Sequence, residues 1–166
     1  KGMKDYPKAI DSYKQFLEAN TGADATDWAG LGILQNSYAR TLEGEAKVEA
    51  LKTADQTYAS LIEKFADAEE YALWQRGRIN AQIDGDLSKG LAKPYFERLA
   101  ELINAHETID DTDKARLFDA YSFLMRYYVK QKTHKTAYDY AKKLQELQPE
   151  DAEIRKVVEA LAKAAN

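Results

Sequence analysis

The stretch from Met125 to Ala141, MRYYVKQKTHKTAYDYA, gathers side chains that could stack on a ligand or move a proton. It holds four of the eleven tyrosines and one of the two histidines. Tyrosine rings could form a platform for a sugar or a peptide, but buried aromatic rings more often serve packing. A histidine needs an orienting carboxylate for catalysis, or further ligands at suitable spacing for a metal. The sequence shows neither at His106 or His134. We therefore interpret the tyrosines as packing residues and predict no catalytic or metal-binding residue.

The segment DGDLSKG begins like a calcium-binding loop, with Asp84, Asp86 and Ser88 at alternate positions. Such a loop also needs a glycine at its sixth place and a bidentate glutamate at its twelfth. Lys89 and Tyr95 stand at those places. We interpret the segment as a solvated turn shaped by its glycines.

Two further short motifs have structural interpretations that outweigh the chemical ones. The acidic run at Asp110–Asp113 could supply paired carboxylates, yet acids are favoured at a helix start by capping and by the helix dipole. The GLG motif at Gly30–Gly32 lacks the Lys-Ser/Thr continuation of a phosphate-binding loop. We predict a helix start at the first motif and close helix packing at the second.

Composition narrows the classes of function. The net charge is −4 with acidic and basic residues interleaved, which argues against nucleic acid as a partner. The absence of cysteine excludes disulfides and thiolate chemistry, and it leaves both a cytoplasmic and a periplasmic location open. No apolar run approaches the roughly 18 residues needed to span a membrane, so a soluble chain without a transmembrane segment is expected. We expect no cofactor.

Long stretches rich in good helix formers, with apolar residues at three- and four-residue spacing, predict helices throughout. Glycine, proline and aspartate clusters set their limits. The predicted helices are 5–20, 25–43, 46–65, 69–83, 88–106, 112–131, 134–147 and 151–164.

A packing pattern repeats along the chain: a small residue, an aromatic residue four later and a large apolar residue three beyond that. The small residue lets a neighbouring helix approach, and the other two lie along the same face. The copies are Ala9/Tyr13/Phe16, Ala54/Tyr58/Leu61, Ala92/Phe96/Leu99 and, without the aromatic residue, Ala137/Ala141/Leu144.

This pattern resembles the tetratricopeptide repeat (TPR), a 34-residue helix–turn–helix unit with the signature W-x2-L-G-x2-Y…A-x3-F…P. Trp28-x2-Leu31-Gly32 fits its opening, while Arg76 departs from it in a column that expects leucine. The segment INAQIDGDLSKGLAKPYFERL is also similar to one found in bacterial TPR proteins of unassigned function. The last pair can be read from end to end against the signature, at Tyr121, Leu124, Met125, Tyr128, Ala137, Leu144 and Pro149.

The resemblance implies an all-α fold, an α-α superhelix of about eight antiparallel helices in a single TPR-like domain. Because the face with Tyr6, Ala9, Tyr13 and Phe16 would lack one expected partner, we expect further TPR-like helices upstream in the full-length protein. The parts of the domain are the second helix of a truncated first repeat (1–22), three helix pairs (23–66, 67–107 and 108–149) and a capping helix (150–166).

In TPR proteins the first helix of each pair lines a concave groove, and the resemblance carries that groove onto this chain. Arg78 and Arg126 would occupy the same column, near Trp74, where they could anchor an acidic or C-terminal carboxylate. Ala29 and Ile33 replace the Lys and Asn of the chaperone-type carboxylate clamp, so no heat-shock-protein tail is inferred. The expected groove residues are Ile33, Asn36, Trp74, Arg78, Gln82, Ser122, Arg126 and Lys130.

The function that these features favour is a non-enzymatic scaffold that binds a peptide or protein surface in the groove. An architectural or self-assembling solenoid segment is the first alternative. A glycan or small-molecule site formed by the tyrosines and tryptophans is the second. The oligomeric state stays open.

Overall fold

The structure, a computed structural model, describes residues 5–165. Within them the chain forms α-helices joined by short connections, and no strand occurs in this range. The all-α prediction is confirmed, and a short 3₁₀ turn, Ala66–Ala68, precedes the fourth helix. The helices are α1 Tyr6–Ala19, α2 Ala25–Ala39, α3 Gly44–Lys64, α4 Glu69–Asp84, α5 Lys93–Asn104, α6 Asp111–Lys130, α7 His134–Leu147 and α8 Ala152–Ala164.

Aspartates begin four of the helices. The side chains of Asp5 and Asp151 each accept a hydrogen bond from a first-turn backbone amide. Asp24 and Asp110 form capping boxes, in which a second aspartate three residues on bonds back to the cap amide. The interpretation of Asp110–Asp113 as a helix start is therefore confirmed, because these carboxylates satisfy amides that the helix leaves unpaired.

Two predicted boundaries are wrong, and the backbone shows why. Helix α2 ends at Ala39 rather than at residue 43, since the next amides turn back to the carbonyls of Tyr38 and Ala39. Helix α5 begins at Lys93 rather than at residue 88. Between α4 and α5 the backbone takes positive φ three times, including +63° at Leu87, a conformation incompatible with a helix.

Asp84 organises that loop. Its carboxylate accepts amide hydrogen bonds from Lys89, Gly90 and Leu91, at 3.1, 2.8 and 3.3 Å. The residue is only 8% exposed. The loop therefore differs from the solvated turn predicted for DGDLSKG, because the buried Asp84 carboxylate accepts hydrogen bonds from the backbone amides of the loop.

The helices fall into two compact units, the first ending at Ile83 and the second beginning at Asp84. In the first unit, α3 supplies the centre of the core, where Ala54, Tyr58 and Leu61 are fully buried. Ala72 and Ile79 of α4 pack into the same cluster. On α3 the packing column is therefore buried as the sequence predicts, whereas on α1 Ala9 and Phe16 of the same column are exposed.

Helix α2 meets α3 through a glycine. A Cβ placed on Gly32 would lie 2.6 Å from Cζ of the buried Tyr58 ring, closer than packed atoms tolerate. The expectation that this column needs a small residue is confirmed.

Arg76, which stands where the TPR pattern expects leucine, forms an ion pair instead. Its Nε and NH2 groups donate to the two carboxylate oxygens of Asp55 at 3.0 and 3.1 Å. Asn80 donates to the same carboxylate at 2.8 Å. Both charged side chains are less than a fifth exposed. A largely buried ion pair therefore joins α3 to α4 at the position where the TPR pattern expects an apolar leucine contact.

In the second unit the same column is buried on two helices. On α5 the buried residues are Phe96 and Leu99, together with Ala92 just before the helix. On α7 they are Ala137, Ala141 and Leu144. Phe96 packs on Phe123 of α6 with ring centroids 5.1 Å apart. Helix α8 packs on α7 through Val158 and Leu161.

Candidate functional site

The expected groove residues of the first unit lie on α2 and α4. Trp74, Arg78 and Gln82 are spaced by one turn along α4, so they share a side of that helix. The Arg78 guanidinium lies over the Trp74 ring at 4.7 Å from its centroid, and Arg78 itself is exposed. This stacking holds a flat cation on an aromatic surface, which suits a carboxylate that approaches from solvent.

On α2 the corresponding residues are Ile33 and Asn36. Ile33 is 51% exposed, which is unusual for a large apolar side chain in this protein. Asn36 is half-buried, and its Oδ1 accepts no hydrogen bond from the described residues. This part of the surface therefore offers an apolar contact at Ile33, while the Asn36 amide oxygen is itself buried.

The remaining three residues lie on α6 of the second unit. Ser122, Arg126 and Lys130 follow one another at four-residue spacing, and the two basic side chains are exposed. The Lys130 ammonium lies 3.8 Å from the carboxylate of Asp86. The pKa of Asp86 is lowered mainly by its hydrogen bonds with Ser88 and, to a smaller extent, by the Lys130 charge. Arg126 is therefore the more available cation of this row.

Tyr127, Tyr128 and Tyr140 of the tyrosine-rich segment pack ring against ring with Tyr121, and Tyr127, Tyr128 and Tyr140 are partly buried. The rings of Tyr128 and Tyr140 stack at 5.7 Å, and Tyr121 packs on Tyr140 at 5.9 Å. The Tyr128 hydroxyl donates to Glu97 at 3.2 Å. Burial is the main cause that raises the pKa of Tyr140 to about 12, and the nearby Glu97 charge is the next. The packing interpretation agrees with this geometry.

His106 has the carboxylate partner that the sequence did not reveal. Its Nδ1 lies 2.9 Å from Oδ2 of Asp113. The same carboxylate also closes the capping box at the start of α6. The pair thus joins the α5–α6 loop to the start of α6.

The groove assignment included Ile33 but missed the rest of the surface around it. An apolar cavity of about 630 Å³ lies between α1 and α2. Its walls are the outward side of α1, around Ala9 and Tyr13, and a stripe on α2 that includes Gly30, Ile33 and Leu34. The i, i+3, i+4 spacing of these α2 residues is the sequence signal that could have predicted this surface.

Comparison with known proteins supports the fold. The structure matches the C-terminal part of a TPR repeat-containing protein from Cytophaga hutchinsonii with a TM-score of 0.74 and 22% sequence identity. The match covers 92% of this chain and 54% of that one, so this chain spans about half the length of its neighbour. No protein-family model matches the sequence. No curated protein matches it either.

The chain therefore has an all-α fold of the TPR kind, as the sequence predicts. Across residues 5–165, none of the helices combines the length and the apolar character that crossing a membrane requires.

Proposed function

We propose that this protein is a non-enzymatic scaffold that binds a peptide or a protein surface on the first helices of its repeat pairs. The observation that carries the proposal is the Arg78–Trp74 stack on α4, with its centroid distance of 4.7 Å. An exposed arginine held on an aromatic ring is a common anchor in protein interfaces. Such a surface needs neither a metal nor a cofactor.

The ligand chemistry that fits best is a carboxylate, either an acidic side chain or a free C-terminus. Arg78 on α4 and Arg126 on α6 present guanidinium groups in the same repeat column of their respective units. A guanidinium can engage a carboxylate through two parallel hydrogen bonds, which gives geometric selectivity as well as energy.

A peptide library displayed with free C-terminal carboxylates tests this function. Peptides selected on the wild-type protein are synthesised with free and amidated C-termini, and their affinities are measured by calorimetry. We expect Arg78→Glu or Arg126→Glu to weaken the selected peptides at least about tenfold, the effect of a moderate hot spot.

Arg155→Glu on α8 is the matched control, since it makes the same charge change at another exposed arginine. It should leave the affinity unchanged. If all three variants bind every peptide as the wild type does, the groove is not the binding surface. Turnover of a substrate by the purified protein would contradict the non-enzymatic assignment.

A further inference from the structure

Helix α2 buries one polar side chain among small and apolar residues. Its buried residues are Leu31, Gly32, Gln35 and Ala39, and Gln35 is only 3% exposed. The Gln35 Oε1 accepts a hydrogen bond from the Thr57 hydroxyl of α3 at 2.7 Å. The Gln35 Nε2 is also buried, yet it has no hydrogen-bond partner within residues 5–165. Leucine or methionine would fill this place without burying an unpaired donor, so the amide needs an acceptor that the helices do not supply.

Gln35 lines a cavity of about 210 Å³ to which three helices contribute. Pro7 and Ile10 come from α1, and Ala50 comes from α3. These side chains give the cavity apolar walls next to the glutamine. A water molecule in the liquid takes up about 30 Å³, so the cavity has room for several waters or for one small organic molecule.

The cavity lies on a different side of α1 from the packing column of Ala9 and Tyr13. At 3.6 residues per turn, the middle of the group Pro7, Ile10 and Asp11 is about 130° around the helix from the middle of that pair. Ile10 is buried and packs towards α2. A further helix packed on Ala9 and Tyr13 would therefore not occupy this cavity.

Asp11 supplies a carboxylate to the cavity. It lines the space and is exposed, and it forms no ion pair within the part of the chain that the structure describes. The cavity thus combines a buried N–H donor, apolar walls and a solvated negative charge. A carbonyl oxygen suits the buried donor because it is a strong acceptor that brings no charge into the interior. An ammonium group complements the carboxylate.

We propose that this cavity binds a small cationic carboxamide. Its carbonyl oxygen accepts a hydrogen bond from Nε2 of Gln35, and its ammonium group approaches Asp11. The apolar body of the ligand contacts Ile10 and its neighbours in the cavity wall. The site shares no residue with the groove of the proposed function, so either can fail without the other.

4-(Aminomethyl)benzamide is a suitable probe, since it joins a carboxamide to an ammonium group through an apolar ring. Two matched compounds each lack one group: 4-methylbenzylamine has no carbonyl, and benzamide has no amine. Each compound is titrated into the ¹⁵N-labelled protein and followed by NMR. The side-chain NH₂ signal of Gln35 is recorded as well, and its loss in Gln35→Met identifies it.

We expect 4-(aminomethyl)benzamide to shift the backbone amides of Ile10 and Ala50 and to move the Gln35 NH₂ signal downfield. 4-Methylbenzylamine should bind about three- to tenfold more weakly, the effect of one neutral hydrogen bond. Gln35→Met should remove that difference between the two amines. If this variant does not fold, the comparison of the compounds on the wild-type protein remains decisive.

The charge is tested separately. Asp11→Asn should weaken both amines about two- to fivefold at low salt and leave benzamide unchanged. Glu159→Gln, at another exposed carboxylate on α8, is the matched control and should bind every compound as the wild type does.

The proposal is overturned if 4-(aminomethyl)benzamide leaves these amides unshifted at about 10 mM, where its affinity per atom falls below that of ordinary small ligands. It is also overturned if 4-methylbenzylamine binds the wild type equally well, because the Gln35 amide would then take no part. A third contrary result is a long-lived water that keeps its magnetisation transfer to the Gln35 NH₂ group throughout the titration, which would make water the occupant.

Discussion

The two glycines of α2 should respond in opposite ways to the same substitution. An alanine at Gly32 would place its Cβ 2.6, 2.8 and 3.0 Å from three ring atoms of Tyr58, a ring with no exposed surface. At Gly30 the nearest atom is the hydroxyl oxygen of Tyr13. Tyr13 borders an open cavity, so its ring can swing away.

The magnitudes follow from two opposing terms. Replacing glycine by alanine inside a helix stabilises it by about 1 kcal/mol. Overpacking a filled core costs about 1–3 kcal/mol, and the upper end applies at Gly32 because three buried atoms must move together. We therefore expect Gly32→Ala to destabilise the protein by about 2 kcal/mol and Gly30→Ala to be neutral or stabilising by up to about 1 kcal/mol.

Urea unfolding followed by circular dichroism measures both free energies. Gly22→Ala is the control for the generic effect of adding a methyl group, since its Cβ would meet only an atom of Asn20 at 3.5 Å. The reasoning is refuted if Gly32→Ala is as stable as the wild type, or if Gly30→Ala is the more damaging of the two.

Three further predictions concern polar groups. Arg76→Leu should destabilise the protein by about 2–3 kcal/mol because the largely buried Asp55 carboxylate loses its counter-charge and keeps only the hydrogen bond from Asn80, whereas adding Asp55→Leu should restore most of that loss in a double-mutant cycle by chemical denaturation. Asp84→Ala should cost about 2–3 kcal/mol, because three backbone amides lose their acceptor; Asp86→Ala, at an exposed loop residue, should destabilise the protein clearly less in the same assay. For Tyr140 the folded-state pKa of about 12 lies above its ordinary value of 10. The stability it contributes is complete below about pH 10 and falls as the pH rises toward 12, so unfolding free energies over that range should decline less in Tyr140→Phe than in the wild type.

The fold was accessible from the sequence because its information is local. Helix periodicity, aspartate caps and the small–aromatic–apolar column are all contained within one or two helices. The column correctly placed Tyr58 in the core and Gly32 against it. The two wrong boundaries fall at loops. In the loop before α5, Leu87 adopts a positive φ, which is rare for leucine and therefore could not be predicted from the residue type.

Side-chain contacts between elements were harder to predict from the sequence, because they depend on the tertiary structure. The Arg76–Asp55 pair joins residues 21 apart, and the His106–Asp113 contact depends on the path of a loop. The stack of Arg78 on Trp74 could be anticipated, since residues four apart on a helix are neighbours. Binding at Arg78 or Arg126 stays a prediction.

Helix α1 packs chiefly on α2, and this has a consequence for the rate at which its amides exchange with solvent. In a chain of helices that each touch their sequence neighbours, a helix with one neighbour opens at a lower free energy than one held on both sides. The amides of α1 should therefore exchange faster than those of α3 in deuterated water.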